Sequence, residues 1–261
     1  MDIVLFIVAL LPVLVLIYYI NSKDSLSPEP VGQLVRAFLF GLLSAPLSFM
    51  VSVPLMYLGF FSDEVTSVSD AIRTSFFGAA IPEEAAKLFI LWIVVRNNKY
   101  FDEKMDGIVY AACVSMGFAA LENVLYLVNA EDYMSVGISR AFTAVPGHFC
   151  FGIVMGYYYS LASFDKHNVK RNKCLTFVAP VIVHGIYDSI LFAAGALMES
   201  ISEISLVIAG IVGLAFIVGF IFFCVKMWKF GSEKIKEHLK SDEEEMENSK
   251  QELNDVFKEV K

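Results

Sequence analysis

The stretch that decides the fold is GAAIPEEAAKLFILWIVV, residues Gly78–Val95, in which two glutamates and one lysine interrupt a run of apolar side chains. A carboxylate or an ammonium in the middle of a bilayer costs roughly 2.5–3.5 kcal/mol even on the mildest scales. Ionisable residues at such a depth are rare, and they normally face the interior of a helix bundle or a wet cavity. Glu83, Glu84 and Lys87 therefore indicate a functional site.

The composition predicts a membrane protein surrounded by the lipid bilayer. Of the 261 residues, 57% are hydrophobic, whereas a soluble domain is nearer about 45–50% apolar. The mean hydropathy is +0.62. A net charge of −8 argues against nucleic acid as a partner. The four cysteines have no CxxC spacing, which argues against a disulfide framework or a zinc knuckle.

The apolar segments predict an all-α, polytopic transmembrane helix bundle of about seven spans, because one span needs about 20 apolar residues. The acidic Asp2 makes the N-terminal segment a retained helix rather than a cleaved signal peptide. We expect a bundle over residues 1–231 with a catalytic core at about 71–198, followed by a charged cytoplasmic tail at 232–261. The predicted spans are 3–20, 33–61, 71–95, 106–128, 138–163, 174–198 and 204–228.

The charges of the connecting segments predict the orientation. The segments 96–105 and 164–173 are rich in lysine and arginine, whereas the alternate connections are acidic. Because Lys and Arg collect on the cytoplasmic side, we expect the N-terminus outside and the C-terminus inside.

Ionisable residues occur in four of the predicted spans, at similar depths. The distances along each helix from its predicted outer end agree within roughly 9 Å, at about 1.5 Å per residue. The four spans therefore predict one polar layer in the outer half of the bilayer. Its most informative members are Glu84, Glu122, His148, His184 and Asp188.

The spacing within each helix supports this layer. Lys87 follows Glu83 by four residues and Glu84 by three, so the ammonium can neutralise either carboxylate. Asp188 follows His184 by four residues and can share a site with the imidazole or orient it. Arg140, near the outer end of the fifth predicted span, is interpreted as an interfacial anchor.

Two hydrolytic chemistries use this set of residues. In the first, His148, His184 and Glu122 bind Zn²⁺, and Glu83 or Glu84 acts as the general base, with Glu84 slightly preferred. In the second, no metal is bound, and a buried glutamate beside an imidazole activates water directly. The sequence contains no HExxH motif, so the residue types alone support the zinc interpretation.

Four ordered motifs resemble the PrsW family of intramembrane proteases. They are EEAAK at 83–87, GFAALENVLY at 117–126, GHFCFG at 147–152 and HGIYD at 184–188. The resemblance covers roughly half the chain. It implies a multi-pass protein of a bacterial plasma membrane that cuts a single-span anti-sigma factor near its extracytoplasmic side. It also implies active-site roles for the paired glutamates, Glu122, His148 and His184, with Asp188 in support. We expect Lys87 and Asn123 to support the same site.

Other functions stay open at this point. The sequence is remotely similar to the type II CAAX prenyl endopeptidases, but Lys87 lies one position early and Glu122 stands where those enzymes have histidine. A proton- or cation-coupled transporter is an alternative, because chains of Glu, His and Asp also form proton relays. A third hypothesis is a non-catalytic scaffold that uses the acidic tail to bind membrane partners.

Overall fold

The computed structural model describes residues 3–24, 26–202 and 206–259, and these form helices joined by loops, without a strand in the described ranges. The predicted start of the seventh span, at about 204, lies outside them. The helices are α1 (Ile3–Lys23), α2 (Val31–Tyr57), α3 (Val68–Arg73), α4 (Ile81–Val95), α5 (Lys104–Val128), α6 (Tyr133–Phe142), α7 (Ala144–Phe164), α8 (Val169–Ser202) and α9 (Leu206–Glu259).

Six helical segments of the described chain are long and apolar enough to cross a membrane. This confirms the predicted all-α polytopic bundle. The six are α1, α2, α5, the α6–α7 pair, α8 and most of α9. The remaining predicted span, 71–95, corresponds to α3, a π-helical turn at Thr74–Ala80 and α4, which follow one another without a break.

The structure corrects the bounds of two predicted spans. The predicted fifth span, 138–163, is two helices, because the backbone at Thr143 leaves the helical region with φ −121° and ψ −75°. The predicted seventh span ends at 228, but α9 continues without a break through the charged residues to Glu259. With 54 residues, α9 is far longer than the about 20 residues that one span needs, so the described part of the predicted tail is a helical continuation of the last span.

Helix α5 is the centre of the bundle. Every residue from 104 to 120 is buried, and α1, α2 and α7 pack around this part of the helix. A helix that is apolar on all sides is suited to such a central position. The outer faces of α1 and α9 expose rows of large apolar side chains, which soluble proteins rarely do. The rows include Ile7, Leu11, Leu14, Ile211, Leu214 and Ile221.

Small residues allow α5 and α7 to approach closely. A Cβ atom added to Gly156 would lie 2.3 Å from the carbonyl oxygen of Gly107. One turn further along, the Ser160 hydroxyl donates a hydrogen bond to the carbonyl oxygen of Lys104 at 2.7 Å. Glycine at 156 therefore sets the distance between the two helices that carry Glu122 and His148.

The charged part of α9 packs against the bundle. The Asp242 carboxylate accepts hydrogen bonds from the backbone N–H groups of Lys104 at 3.1 Å and Met105 at 2.9 Å. These two N–H groups belong to the first turn of α5, which has no intrahelical acceptors for them. Nearby, the buried His238 ring stacks on Tyr157 with 4.6 Å between centroids. His238 lies in the predicted cytoplasmic tail, for which the sequence predicts no role, whereas its packing partner Tyr157 lies on a distant helix.

We predict that Gly156→Ala destabilises the bundle. The added methyl group meets backbone atoms, which cannot rotate away, and overpacking of this kind costs about 1–3 kcal/mol of unfolding free energy. Thermal unfolding of the detergent-purified protein measures the loss. Gly219→Ala on α9 is the matched control, since nothing lies within 4 Å of its added Cβ atom. Equal unfolding temperatures for the two variants would contradict the role of Gly156.

Candidate active site

The paired glutamates lie in the first turn of α4. Pro82 also lies in this turn, which begins at Ile81. The preceding turn, 74–80, is π-helical, a geometry that is frequent at functional sites. Its Phe76 ring lies so close to Gly185 that an added Cβ atom would be 2.4 Å from the ring. The π-helical turn thereby packs against the residue that follows His184.

Lys87 is the centre of a buried ionic network. Its Nζ lies 2.8 Å from Glu84 Oε1, 3.5 Å from Glu83 Oε2 and 3.1 Å from His148 Nδ1. The ammonium also lies over the Phe118 ring, 4.1 Å from its centroid, in a cation–π contact. The side chains of Lys87 and Glu84 are 1% and 0% exposed. One cation thus contacts both glutamates of α4 and an imidazole of α7.

His148 continues the network to α5 and α6. Its Nε2 lies 2.8 Å from Glu122 Oε2, and the same oxygen accepts a hydrogen bond from Arg140 Nη2 at 2.6 Å. Arg140 Nε donates to Asn123 Oδ1 at 2.7 Å, while Asn123 Nδ2 donates to the carbonyl oxygen of Ala9 at 3.0 Å. Glu122 is therefore held between an imidazole and a guanidinium.

His184 completes the network from α8. Its Nδ1 lies 2.8 Å from Glu84 Oε1, and its Nε2 lies 3.2 Å from Asp188 Oδ2 and 3.8 Å from Glu83 Oε2. The ring stacks on Phe151 with 4.5 Å between centroids and an interplanar angle of 18°. Both nitrogens of the ring thus face carboxylates, and an aromatic ring covers one of its faces.

The structure brings all of the sequence-predicted site residues into this one network. Within it, one ligand atom each of Glu83, Glu84, His148 and His184 lie within 4.8 Å of one another, which suits a metal ion. Glu122, which the sequence offered as a ligand beside the two histidines, lies outside this set of four. Glu84 Oε2 is buried without a hydrogen-bond partner.

A cavity of about 600 Å³ borders the network. Glu83 and Glu122 line it, and their side chains are 14% and 19% exposed. Glu84, which is 0% exposed, does not line it. Apolar side chains and a few hydroxyl groups form the rest of the wall, among them Ser48, Phe49, Ser52, Phe61, Phe118 and Phe192. A substrate in this cavity would meet Glu83 and Glu122 first.

Two features of the site were not predicted from the sequence: the contact that Arg140 makes and the presence of Phe151. Arg140 was interpreted as an interfacial anchor, but its guanidinium contacts Glu122 and lies over the Tyr126 ring, 4.0 Å from the centroid. The helix break at Thr143 separates α6 from α7 and allows Arg140 to reach Glu122. A single continuous helix would not have brought these two side chains together. Phe151 gave no signal, because an aromatic residue in an apolar span is ordinary.

We predict that Lys87→Met strongly destabilises the protein. The substitution leaves the fully buried Glu84 without its cation, and breaking a buried ion pair costs about 3–5 kcal/mol of unfolding free energy. Lys166→Met, at an exposed loop position, is the control. The double variant Glu84→Gln/Lys87→Met should recover part of the loss. Thermal unfolding of the EDTA-treated proteins tests this, and a Lys87→Met variant as stable as Lys166→Met would contradict the importance of the pair.

Comparisons with known proteins identify the family. The family described as "PrsW family intramembrane metalloprotease" matches residues 29–225. The protein named Protease PrsW of Clostridioides difficile (strain 630) is 35% identical over 191 residues, which cover 72% of this chain and 79% of the relative. Its namesake from Bacillus subtilis (strain 168) is 37% identical over 185 residues, covering 70% and 80%.

A third relative, Protease PrsW of Oceanobacillus iheyensis, is 36% identical over 181 residues, which cover 69% of this chain and 79% of the relative. No solved structure matches this chain. The family match extends well beyond the four motifs on both sides and includes every residue of the ionic network. The chain belongs to the PrsW family of intramembrane proteases and is a multi-pass membrane peptidase.

Proposed function

We propose that this protease hydrolyses a peptide bond of a single-span membrane protein inside the cavity beside Glu83. The observation that carries the proposal is the position of this cavity. It lies among membrane-length helices, and two carboxylates of the ionic network line it. Hydrolysis within a membrane needs such a water-accessible polar surface, because amide hydrolysis consumes one water molecule.

We assign the role of general base to Glu83. The sequence slightly favoured Glu84, but Glu83 is the more exposed of the pair and is the one that lines the cavity. A general base must come within about 2.6–3.2 Å of the proton donor, directly or through one water. Glu83 would accept the proton of the attacking water and return it to the leaving amine. Glu84 does not line the cavity and is hydrogen-bonded to His184 and Lys87.

The buried donors fit a catalytic metal ion. Glu84, His148 and His184 are one carboxylate and two imidazoles, the ligand set of several catalytic zinc sites, and Glu84 Oε2 is buried without a partner. We propose that these three residues hold the ion, whereas the sequence suggested Glu122 as the third ligand. A bound Zn²⁺ would supply a Lewis acid that polarises the scissile carbonyl and lowers the pKa of water. The Lys87 ammonium would have to release Glu84 and His148, since it contacts both.

The remaining residues of the network orient the imidazoles. Glu122 faces His148 Nε2, and Asp188 faces His184 Nε2, so each ring is fixed by a carboxylate. Such outer partners set the tautomer and the orientation of a ligating histidine. Arg140 holds Glu122 from the other side, at the edge of the cavity.

We further propose that the substrate is an anti-sigma factor cut near its extracytoplasmic side. The resemblance to the family motifs supports the substrate class. The distribution of Lys and Arg among the loops supports an orientation with the site in the outer half of the bilayer. The largely apolar wall of the cavity suits a peptide segment that arrives from the lipid phase.

Cleavage of a tagged single-span anti-sigma factor from the same organism, reconstituted with the purified protease in liposomes, tests the assignment. We expect Glu83→Gln to lower the cleavage rate by about 10²–10⁴-fold, the usual contribution of a general base. Glu131→Gln, at an exposed loop position, should cleave at the wild-type rate. Cleavage by a folded Glu83→Gln variant at the wild-type rate would refute the role of Glu83.

Metal content, measured by mass spectrometry on tag-free protein, tests the ligands. We expect about one zinc ion per chain in the wild type, and its loss in His148→Ala and His184→Ala, because two of three ligands are imidazoles. Glu131→Gln should retain it. A folded and active wild type that contains no transition metal would refute the metal site and favour water activation by glutamate alone.

A further inference from the structure

A second group of carboxylates lies where α1 ends and α5 begins. We call Asp24, Glu103 and Asp106 the acidic cluster. One oxygen of each residue lies within 4.8 Å of one oxygen of the other two. Asp24 and Asp106 are each 1% exposed. None of the three residues belongs to the network around Lys87, so the acidic cluster is a separate site.

No basic side chain neutralises the acidic cluster within the described ranges 3–24, 26–202 and 206–259. Lys104 follows Glu103 directly, but its ammonium bonds to Ser241 Oγ at 2.7 Å and to Glu245. Two further carboxylates, Glu29 and Asp242, lie close by and add negative charge. The acidic cluster therefore brings several carboxyl groups together in a largely buried place, without a neighbouring cation among the described residues.

Each residue of the acidic cluster also has one carboxylate oxygen without a partner. Asp24 Oδ2 accepts the backbone N–H of Glu29 at 3.2 Å, and Asp106 Oδ2 accepts the N–H groups of Asp102 and Glu103, both at 2.8 Å. The atoms Asp24 Oδ1, Glu103 Oε1 and Asp106 Oδ1 are buried and have no hydrogen-bond donor among the residues that the structure describes. Buried polar atoms are nearly always satisfied, and an exception requires an explanation such as a bound ion.

The carboxyl groups of Asp24, Glu103 and Glu29, which lie in loops beside α1, α2 and α5, are in an unfavourable electrostatic environment. Burial, together with the repulsion of neighbouring carboxylates, raises the pKa of Asp24 to about 6 and that of Glu103 to about 7. Burial likewise raises the pKa of Glu29 to about 7. A cation placed among these groups would offset both the desolvation and the mutual repulsion.

We propose that Asp24, Glu103 and Asp106 bind a hard divalent cation, Mg²⁺ or Ca²⁺. The donors are oxygen atoms only, and such a set suits these ions, whereas zinc usually takes nitrogen or sulfur ligands. Backbone carbonyl groups and water would complete the coordination. The ion would tie the C-terminal end of α1 and the loop before α5 to the first turn of the central helix.

Thermal unfolding with added ions tests this site. Detergent-purified protein is treated with EDTA, desalted and titrated with MgCl₂ or CaCl₂ in separate arms, against NaCl at equal ionic strength. At about one hundred times the dissociation constant, a ligand specific for the folded state should raise the unfolding temperature by about 5 °C. The arm with the larger shift identifies the ion, and isothermal titration should give about one ion per chain.

Variants connect the shift to the acidic cluster. Asp24→Asn and Glu103→Gln should each abolish the ion-dependent shift. Glu244→Gln, which removes one exposed carboxylate from α9 near the same end of the bundle, should retain it. His184→Ala should also retain it, because the ion does not use the active site. The unfolding temperatures of EDTA-treated wild-type protein with and without added ion test the site even if one variant does not fold.

Three outcomes would overturn the proposal. The first is a wild type with no saturable shift by either ion, which would mean that shared protons alone satisfy the carboxylates. The second is a shift that persists in both Asp24→Asn and Glu103→Gln. The third is a shift that disappears in His184→Ala, which would place the ion in the active site instead.

Discussion

The contact on which the rest of the structure depends is the one between the Lys87 ammonium and the Glu84 carboxylate, 2.8 Å apart and almost completely buried. A charge alone at this depth would be expelled or neutralised. The pair is retained because His148, His184 and Phe118 surround it from three other helices. The positions of α4, α5, α7 and α8 are therefore coupled through one small group of charges, and the same group provides the reactive carboxylates.

The sequence predicted the helical class and the meeting of these residues for a physical reason. An ionisable side chain in an apolar span is stable only beside other polar groups in the bundle interior. Glu84, Glu122, His148 and His184 were therefore expected to lie close together. What the sequence could not predict depends on distant partners. Arg140 reaches Glu122 only because the chain breaks at Thr143, and Asp242 caps α5 only because α9 continues so far. Neither contact leaves a periodic pattern in the sequence.

Helix α5 connects the two proposed sites. Asp106 in its first turn belongs to the acidic cluster, and Glu122 near its other end lines the active-site cavity. The two residues are sixteen positions apart, which corresponds to about 24 Å along a helix axis. Because this helix is buried along most of that length and packs closely on α7 at Gly156, it forms a rigid support at the centre of the bundle. A cation at one end would steady the helix that carries Glu122 at the other.

The π-helical turn at Thr74–Ala80 has a consequence for the phase of the helix. A π-helical turn holds one residue more than an α-helical turn, and one residue corresponds to about 100° of rotation around the axis. Winding the same residues as a regular α-helix from Val68 to Val95 would leave the length and the apolar character of the segment unchanged. That helix would still cross the membrane, but it would turn the paired glutamates by about 100° relative to α3, away from His148 and His184. The width of one helical turn thus separates a site with its charges assembled from an inert span.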